Sequence, residues 1–394
     1  MRTLGSVLRG GLAVALTAGG LAVLGPVAAP AHAAPTGTGW TLAFSDEFNG
    51  TAVDTGKWNY RTDVKAYSAQ RPQNVSLTGG AMTIALRQES YGGKNFTGGG
   101  LVSKQKLRYG YYETRAKIND GAGWHSAFWL QAGDGSTTYP ADQRTEIDVF
   151  EIDSIEPQRL RHNVITWRGS GQQASPYYTS GIYDIGLDLR QWHTYGVDWG
   201  ERSVRYYVDG VLKATQPYTP DQWTHDYTAI WLTSIAYGTV PDVSKLPSAV
   251  QFDYVRYWQK DYYVDNDSPA AYGYTETGNW SNSTLTGWTY ASPTRYAACG
   301  TAGATATWRP DLRAAGTYQV FVHKIAYAGS DPAQRYDVVH DGTTSTSTLD
   351  GSSGSSGWVS LGSWYFPAGT SGHVRTTASG SGCARADAVK FVRV

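Results

Sequence analysis

Along most of the chain, apolar and polar residues alternate in short runs separated by turn residues. Asn74-Val75-Ser76-Leu77, Ala81-Met82-Thr83-Ile84-Ala85-Leu86 and Tyr111-Tyr112-Glu113-Thr114-Arg115-Ala116-Lys117-Ile118 are runs of this kind, with the two-residue period of a strand that buries one face. His193-Thr194-Tyr195-Gly196-Val197-Asp198-Trp199 and Val204-Arg205-Tyr206-Tyr207-Val208 follow, the latter closed by Asp209-Gly210, a hairpin signal. No long segment repeats its apolar residues every 3.6 positions. The pattern predicts an all-β chain folded as a sandwich or barrel. Its last strand is expected at Val250-Gln251-Phe252-Asp253-Tyr254-Val255-Arg256-Tyr257-Trp258. Beyond residues 260–267 Ser, Thr, Gly and Ala rise, and strand-like runs recur, among them Tyr318-Gln319-Val320-Phe321-Val322 and Ala388-Val389-Lys390-Phe391-Val392. A second, smaller β-sandwich is therefore expected. The linker is short and not rich in Pro or Ser, so the two parts should touch.

Composition narrows the classes of partner. Lys and Arg number 33, matching 33 Asp and Glu, which leaves no electrostatic case for nucleic acid or an anionic membrane. The 28 Tyr and 15 Trp fit carbohydrate handling, because sugars present flat C–H faces to aromatic rings, although β-rich exported chains favour the same residues. Residues 1–33 read as a signal peptide: a basic stretch up to Arg9, an apolar stretch from Gly11 to Val27, and Ala31-His32-Ala33 for cleavage. The protein is expected to be secreted and extracellular, with no membrane span, and to act as a monomer. In an oxidising space its two cysteines, Cys299 and Cys383, are expected to form one disulfide. No Cys/His cluster has zinc spacing.

The stretch with the densest chemistry is Glu146-Ile147-Asp148-Val149-Phe150-Glu151. Glu146 and Asp148 share a strand face, whereas the odd spacing to Glu151 turns that residue away. One β-bulge between Asp148 and Glu151 would bring all three carboxylates to one side. Crowded acids separate their pKa values, and two carboxyls so separated are what glycoside hydrolysis uses. Taken alone, the hexapeptide reads equally well as an amphipathic strand with a solvated face. Trp124 and Trp129 upstream, and His162, Asn163 and Trp167 downstream, add the indoles and polar groups a sugar cleft needs.

Residues 38–260 resemble glycoside hydrolase family 16. The resemblance is carried by Phe44-Ser45-Asp46-Glu47-Phe48-Asn49-Gly50, Tyr109-Gly110-Tyr111-Tyr112-Glu113-Thr114-Arg115, Ala127-Phe128-Trp129-Leu130, the acidic hexapeptide, Val208-Asp209-Gly210 and Asp253-Tyr254-Val255-Arg256, in that order. It implies a β-jelly-roll sandwich and a retaining mechanism, with Glu146 as nucleophile, Glu151 as general acid/base and Asp148 tuning both. The bulged acidic motif is similar to the laminarinase, agarase, carrageenase and galactanase branch. The stretch Trp124-His125-Ser126-Ala127-Phe128-Trp129 lacks the Pro of the laminarinases' W-P-A-F-W and gains a His, and Trp167 stands where they tend to have His; both set β-galactans beside β-1,3-glucan, which stays slightly ahead. The resemblance also suggests substrate contacts at Trp124, Asn74, Glu113, Arg115, His162, Asn163 and Trp167, with Glu113 and Arg115 reading equally as a structural ion pair on one strand face. Trp129 is left open between sugar platform and core, and His125 is read as an ordinary hydrogen-bonded histidine. No cofactor is required; Glu47, Gly80 and Asp253 loosely match a structural calcium site found in many members. Through Tyr274-Thr275-Glu276-Thr277-Gly278-Asn279-Trp280, Ala306-Thr307-Trp308-Arg309-Pro310-Asp311-Leu312 and Ala386-Asp387-Ala388-Val389, residues 263–394 resemble the golvesin C-terminal-like domain, which looks like a carbohydrate-binding module.

The function expected is a secreted endo-acting hydrolase of polysaccharide. A non-catalytic polysaccharide-binding protein is the alternative from another class, and a transglycosylase is a third. Catalysis would need Glu151 protonated and Glu146 ionised, giving a bell-shaped pH profile from mildly acidic to neutral.

Overall fold

The computed structural model describes residues 35–136, 144–168, 172–219, 227–268, 270–289 and 293–394. The expected signal peptide, residues 1–33, lies outside them. The described chain is all-β apart from three short 3-10 turns, as the alternation predicted. The N-terminal part is a jelly-roll-like sandwich. One layer is formed by β1 (Trp58–Tyr60), β2 (Lys94–Ser103), β3 (Trp124–Gln131), β4 (Arg144–Asp153), β5 (Arg159–Arg168), β6 (Gln172–Thr179) and β7 (Ala229–Ala236). Their spatial order is β1-β2-β7-β3-β4-β5-β6, all antiparallel. In the facing layer the long strand Ser248–Gln259 pairs with Thr41–Asp46 and Ala81–Tyr91 on one side and with Gly110–Lys117 on the other. His193–Trp199, Ser203–Val208 and Val211–Pro217 extend that layer.

Strand alternation decides which residues reach the core. Phe128 and Leu130 of β3, Ile147 and Phe150 of β4, and Ile230 and Leu232 of β7 meet Met82, Tyr112, Tyr195 and Phe252 of the facing layer. Burying each of the larger side chains is worth about 1.5–3 kcal/mol. Gly98 on β2 is needed for close packing. A Cβ there would run into the Ser234 carbonyl oxygen and press on the Trp124 ring at 3.3 Å.

The C-terminal part has a four-stranded and a five-stranded antiparallel sheet around Trp308, Tyr318, Val320, Val338, Phe366 and Phe391, together with a small three-stranded sheet. Cys299 and Cys383 are joined in a disulfide there. The two parts touch, as the short linker predicted. Glu201, in the turn after Trp199, accepts hydrogen bonds from the indoles of Trp288 (3.1 Å) and Trp358 (2.7 Å) and pairs with Lys390 at 3.0 Å. Arg108 lies over the Trp288 ring at 4.6 Å. Trp308 is buried in the core of this part, and Trp288 is buried at the junction.

Candidate active site

The bulge that the acidic hexapeptide needs is present. Against β3, Phe150 pairs with Phe128 and Asp148 with Trp129, leaving Val149 as the extra residue. Against β5 the register shifts at the same place, with Glu151 opposite Arg161 and Asp148 opposite Asn163. Glu146, Asp148 and Glu151 thus border one cavity of about 380 Å³, while Ile147, Val149 and Phe150 stay in the core.

Each carboxyl has different partners. Glu146 accepts a hydrogen bond from Gln131 Nε2. Burial pushes it up to about 8, the charge of Glu151 adds to this, and the Trp167 indole, Arg144 and Lys65 pull it partly back. Asp148 accepts from Asn163 Nδ2 at 2.8 Å, and burial, then Glu151 and Glu146, raise it as well. Glu151 is held on both oxygens. Its Oε2 accepts from Arg161 Nε at 2.6 Å and Asn163 Nδ2 at 2.8 Å, and its Oε1 lies 2.9 Å from His125 Nε2. Burial raises its pKa, but His125 and Arg161 outweigh that and bring it down to about 2. His125 turns its other nitrogen to Asp153 at 2.7 Å. Burial opposes its charge, yet the two carboxylates lift it to about 9.

The free cleft therefore has the reverse of the expected charge pattern: Glu151 ionised and Glu146 inclined to hold a proton. The cause is the pair of cations on Glu151, Arg161 from β5 and His125 from β3. Neither was singled out for this role in the sequence, because nothing in the local pattern shows which distant strand will lie alongside β4.

Of the residues expected at the site, Trp129 and Trp167 line the cleft, and Asn163 is buried against the acids with its amide on Asp148 and Glu151. Trp129 stacks on Trp231 with ring centroids 4.5 Å apart and donates to Thr233 Oγ1 at 3.0 Å. Arg61, Lys65, Gln131, Arg144 and Tyr237 also line the cleft, and no local motif marks them in the sequence. Arg61 lies 5.6 Å from both indoles, and Arg144 lies 5.7 Å over Trp167.

Others fall elsewhere. Trp124 is fully buried in the core, because it shares strand parity with Phe128 rather than with Trp129. His162 points inward for the same reason. It bonds the Val149 carbonyl at 2.6 Å and Tyr183 OH at 2.8 Å, stacks on Tyr206, and is lowered to about 4 by burial. Asn74 donates to the Gly98 carbonyl at 3.0 Å and does not line the cavity. Glu113 is buried in the facing layer beneath Tyr254 OH (2.7 Å) and Tyr111 OH (3.1 Å). Arg115 pairs with Asp253 at 2.9 Å and lies over Trp192.

The side chains of the suggested calcium set have other partners. Both oxygens of Glu47 are taken by Arg256, and Asp253 is taken by Arg115. Gly80 lies beside the Asn49 side chain. Among the described residues no group of three or more His, Cys, Asp or Glu could hold an ion.

Comparison with known proteins places these features among polysaccharide-active proteins. Residues 40–260 match the model for the GH16 domain of beta-porphyranases A–D, and residues 262–393 match the golvesin C-terminal domain. The beta-glucanase of Bacillus subtilis (strain 168) is 32% identical over 233 residues, covering 55% of this chain and 87% of its own. The kappa-carrageenase of Pseudoalteromonas carrageenovora is 28% identical over 286 residues, covering 62% of this chain and 69% of its own. The laminarinase catalytic domain of Thermotoga petrophila RKU-1 aligns with a TM-score of 0.47 at 22% identity, over 56% of this chain and 98% of that one.

Proposed function

The chain belongs to glycoside hydrolase family 16 through residues 40–260, and from that premise we propose a retaining endo-hydrolase in which Glu146 is the nucleophile and Glu151 the general acid/base. The supporting observation is the bulge at Val149, which sets two carboxyls with opposed environments on one cleft wall. In the first half-reaction the Glu146 carboxylate attacks the anomeric carbon while Glu151 protonates the departing oxygen. In the second, Glu151 takes a proton from water as that water releases the sugar. Asp148, anchored by the same Asn163 amide as Glu151, orients the wall between them.

For the substrate we infer a β-linked galactan bearing anionic groups, ahead of β-1,3-glucan. Lys65, Arg61 and Arg144 border the cleft, where guanidinium and ammonium groups suit sulfate or carboxylate substituents. The match to a porphyranase-type model and the carrageenase relative agree with this. A neutral β-glucan is the second reading, favoured by the Trp129 and Trp167 indoles that line the cleft and the beta-glucanase relative.

Reducing-sugar release on porphyran, carrageenan, agarose, laminarin and lichenan separates the two. Lys65→Gln is expected to raise KM on the sulfated polymer roughly tenfold, the worth of one charge-assisted contact, and to leave laminarin kinetics within about twofold. Equal behaviour on both polymers would remove the anionic reading. The pattern of residues 1–33 supports export, which sequencing the N-terminus of the secreted protein would test. The C-terminal part is proposed as a carbohydrate-binding module.

A further inference from the structure

We propose that Asp153 and His125 form a proton relay that loads and reloads the acid proton of Glu151, with Oε1 as the oxygen that carries it. The proposal rests on the assignment of Glu151 as acid/base. The geometry leaves Glu151 one place to be protonated. Oε2 already accepts two N–H groups, from Arg161 and Asn163, whereas Oε1 faces only the His125 ring nitrogen among the described groups. Both nitrogens of His125 face carboxylate oxygens, so the ring donates from both when it is an imidazolium. The far end of the relay opens outward: the Asp153 side chain is 39% exposed, against 9% for His125 and 18% for Glu151. A proton can thus reach the acid from solvent while a polysaccharide covers the cleft.

The charged and titratable groups around His125 come from several elements. Glu151 and Asp153 lie on β4, Arg161 on β5, and Tyr237 just after β7, its ring 6.2 Å from the imidazole. Glu146, Asp148 and Lys65 border the same cavity. In open water the ion pair is favoured. When a sugar displaces that water, the charged forms lose solvation and the neutral pair gains. The His125 Nε2–H bond then breaks and a Glu151 Oε1–H bond forms, leaving neutral imidazole with its Nδ1–H on Asp153. Loss of the Glu151 charge also removes one of the causes that raise Glu146, so the loaded acid and the ionised nucleophile favour each other. Glu151 passes the proton to the glycosidic oxygen as the C–O bond breaks. In the second half-reaction it takes a proton from the attacking water and returns it to His125. His125 and Asp153 are positioning residues that act through Glu151.

The test is the pH dependence of kcat/KM for the full chain, His125→Gln and Asp153→Asn. Each is measured on the polysaccharide identified by the panel and on a dinitrophenyl glycoside of its oligosaccharide, whose leaving group departs without an acid. With the relay intact, the profile centres above neutral pH. His125→Gln is expected to move the alkaline limb down by about two pH units and to cut polysaccharide turnover at pH 8 on the order of 100-fold. The dinitrophenyl substrate should change less than about fivefold. Asp153→Asn should move the limb in the same direction by about half to one unit, and it serves alone should His125→Gln not fold. An unmoved limb, or equal losses on both substrates, would overturn the relay. Glu151→Ala run in parallel keeps the two ideas apart: full polysaccharide activity there removes the acid/base assignment itself.

Discussion

Glu146→Gln is expected to lower kcat on polysaccharide on the order of 10⁴-fold or more, since losing a nucleophile removes the covalent route and not one contact. Shape is nearly conserved. The new amide keeps an oxygen for the Gln131 donor, and the neutral side chain relieves repulsion from Glu151. Folding and polysaccharide affinity should therefore stay within about twofold of the parent, as expected when the change is confined to the transition state. Reducing-sugar assays combined with calorimetric binding separate the two effects. A variant that hydrolyses within tenfold of the parent would remove Glu146 from the reaction. One that no longer binds would make its role structural.

The double change Cys299→Ala and Cys383→Ala is expected to destabilise the C-terminal sandwich by about 4–5 kcal/mol, on the chain-entropy account of cross-links. The bond closes a separation of 84 residues, enough to make it the largest single constraint on that part. For a part of this size the melting temperature should drop by roughly 10–20 °C, and reduction of the native disulfide should reproduce the drop. Turnover of a short soluble substrate at 25 °C should not change, because every residue lining the cleft lies in the N-terminal sandwich. Differential scanning calorimetry reads the first effect and initial rates the second. A melting temperature within about 2 °C of the parent would show that the unfolded chain gains little freedom when the bond is lost.

The legibility of the sequence follows the range of the interactions concerned. The strand of Glu146, Asp148 and Glu151 could be read locally, because period-two alternation and an odd spacing are properties of neighbouring residues. The bulge followed from the same six residues. Trp124 and His162 lie close to the acids along the chain, but their strand parity turns them into the core. Each sits one position out of phase with a residue that bonds the acids, Trp124 beside His125 and His162 beside Asn163. Arg161 and Asp153 gain their roles only when β3, β4 and β5 lie in register, which is a tertiary fact. Glu113, Arg115, Glu47 and Asp253 were recognisable as belonging to the family's pattern. What they do here is hold the facing layer together through Tyr254, Tyr111 and guanidinium partners. Motif order conveyed the fold well, but it did not distinguish residues that hold the scaffold from residues that touch a sugar.

The most direct test of the assignment is to trap the glycosyl-enzyme. The protein would be incubated with a 2-deoxy-2-fluoro glycoside carrying a dinitrophenyl leaving group, then digested and analysed by tandem mass spectrometry. Burst release of dinitrophenol, with one glycosyl unit on the peptide and fragment ions placing it on Glu146, is the expected result. A label on Glu151 or Asp148 would contradict the assignment of roles. Steady turnover with no label and inverted anomeric product would contradict the retaining mechanism.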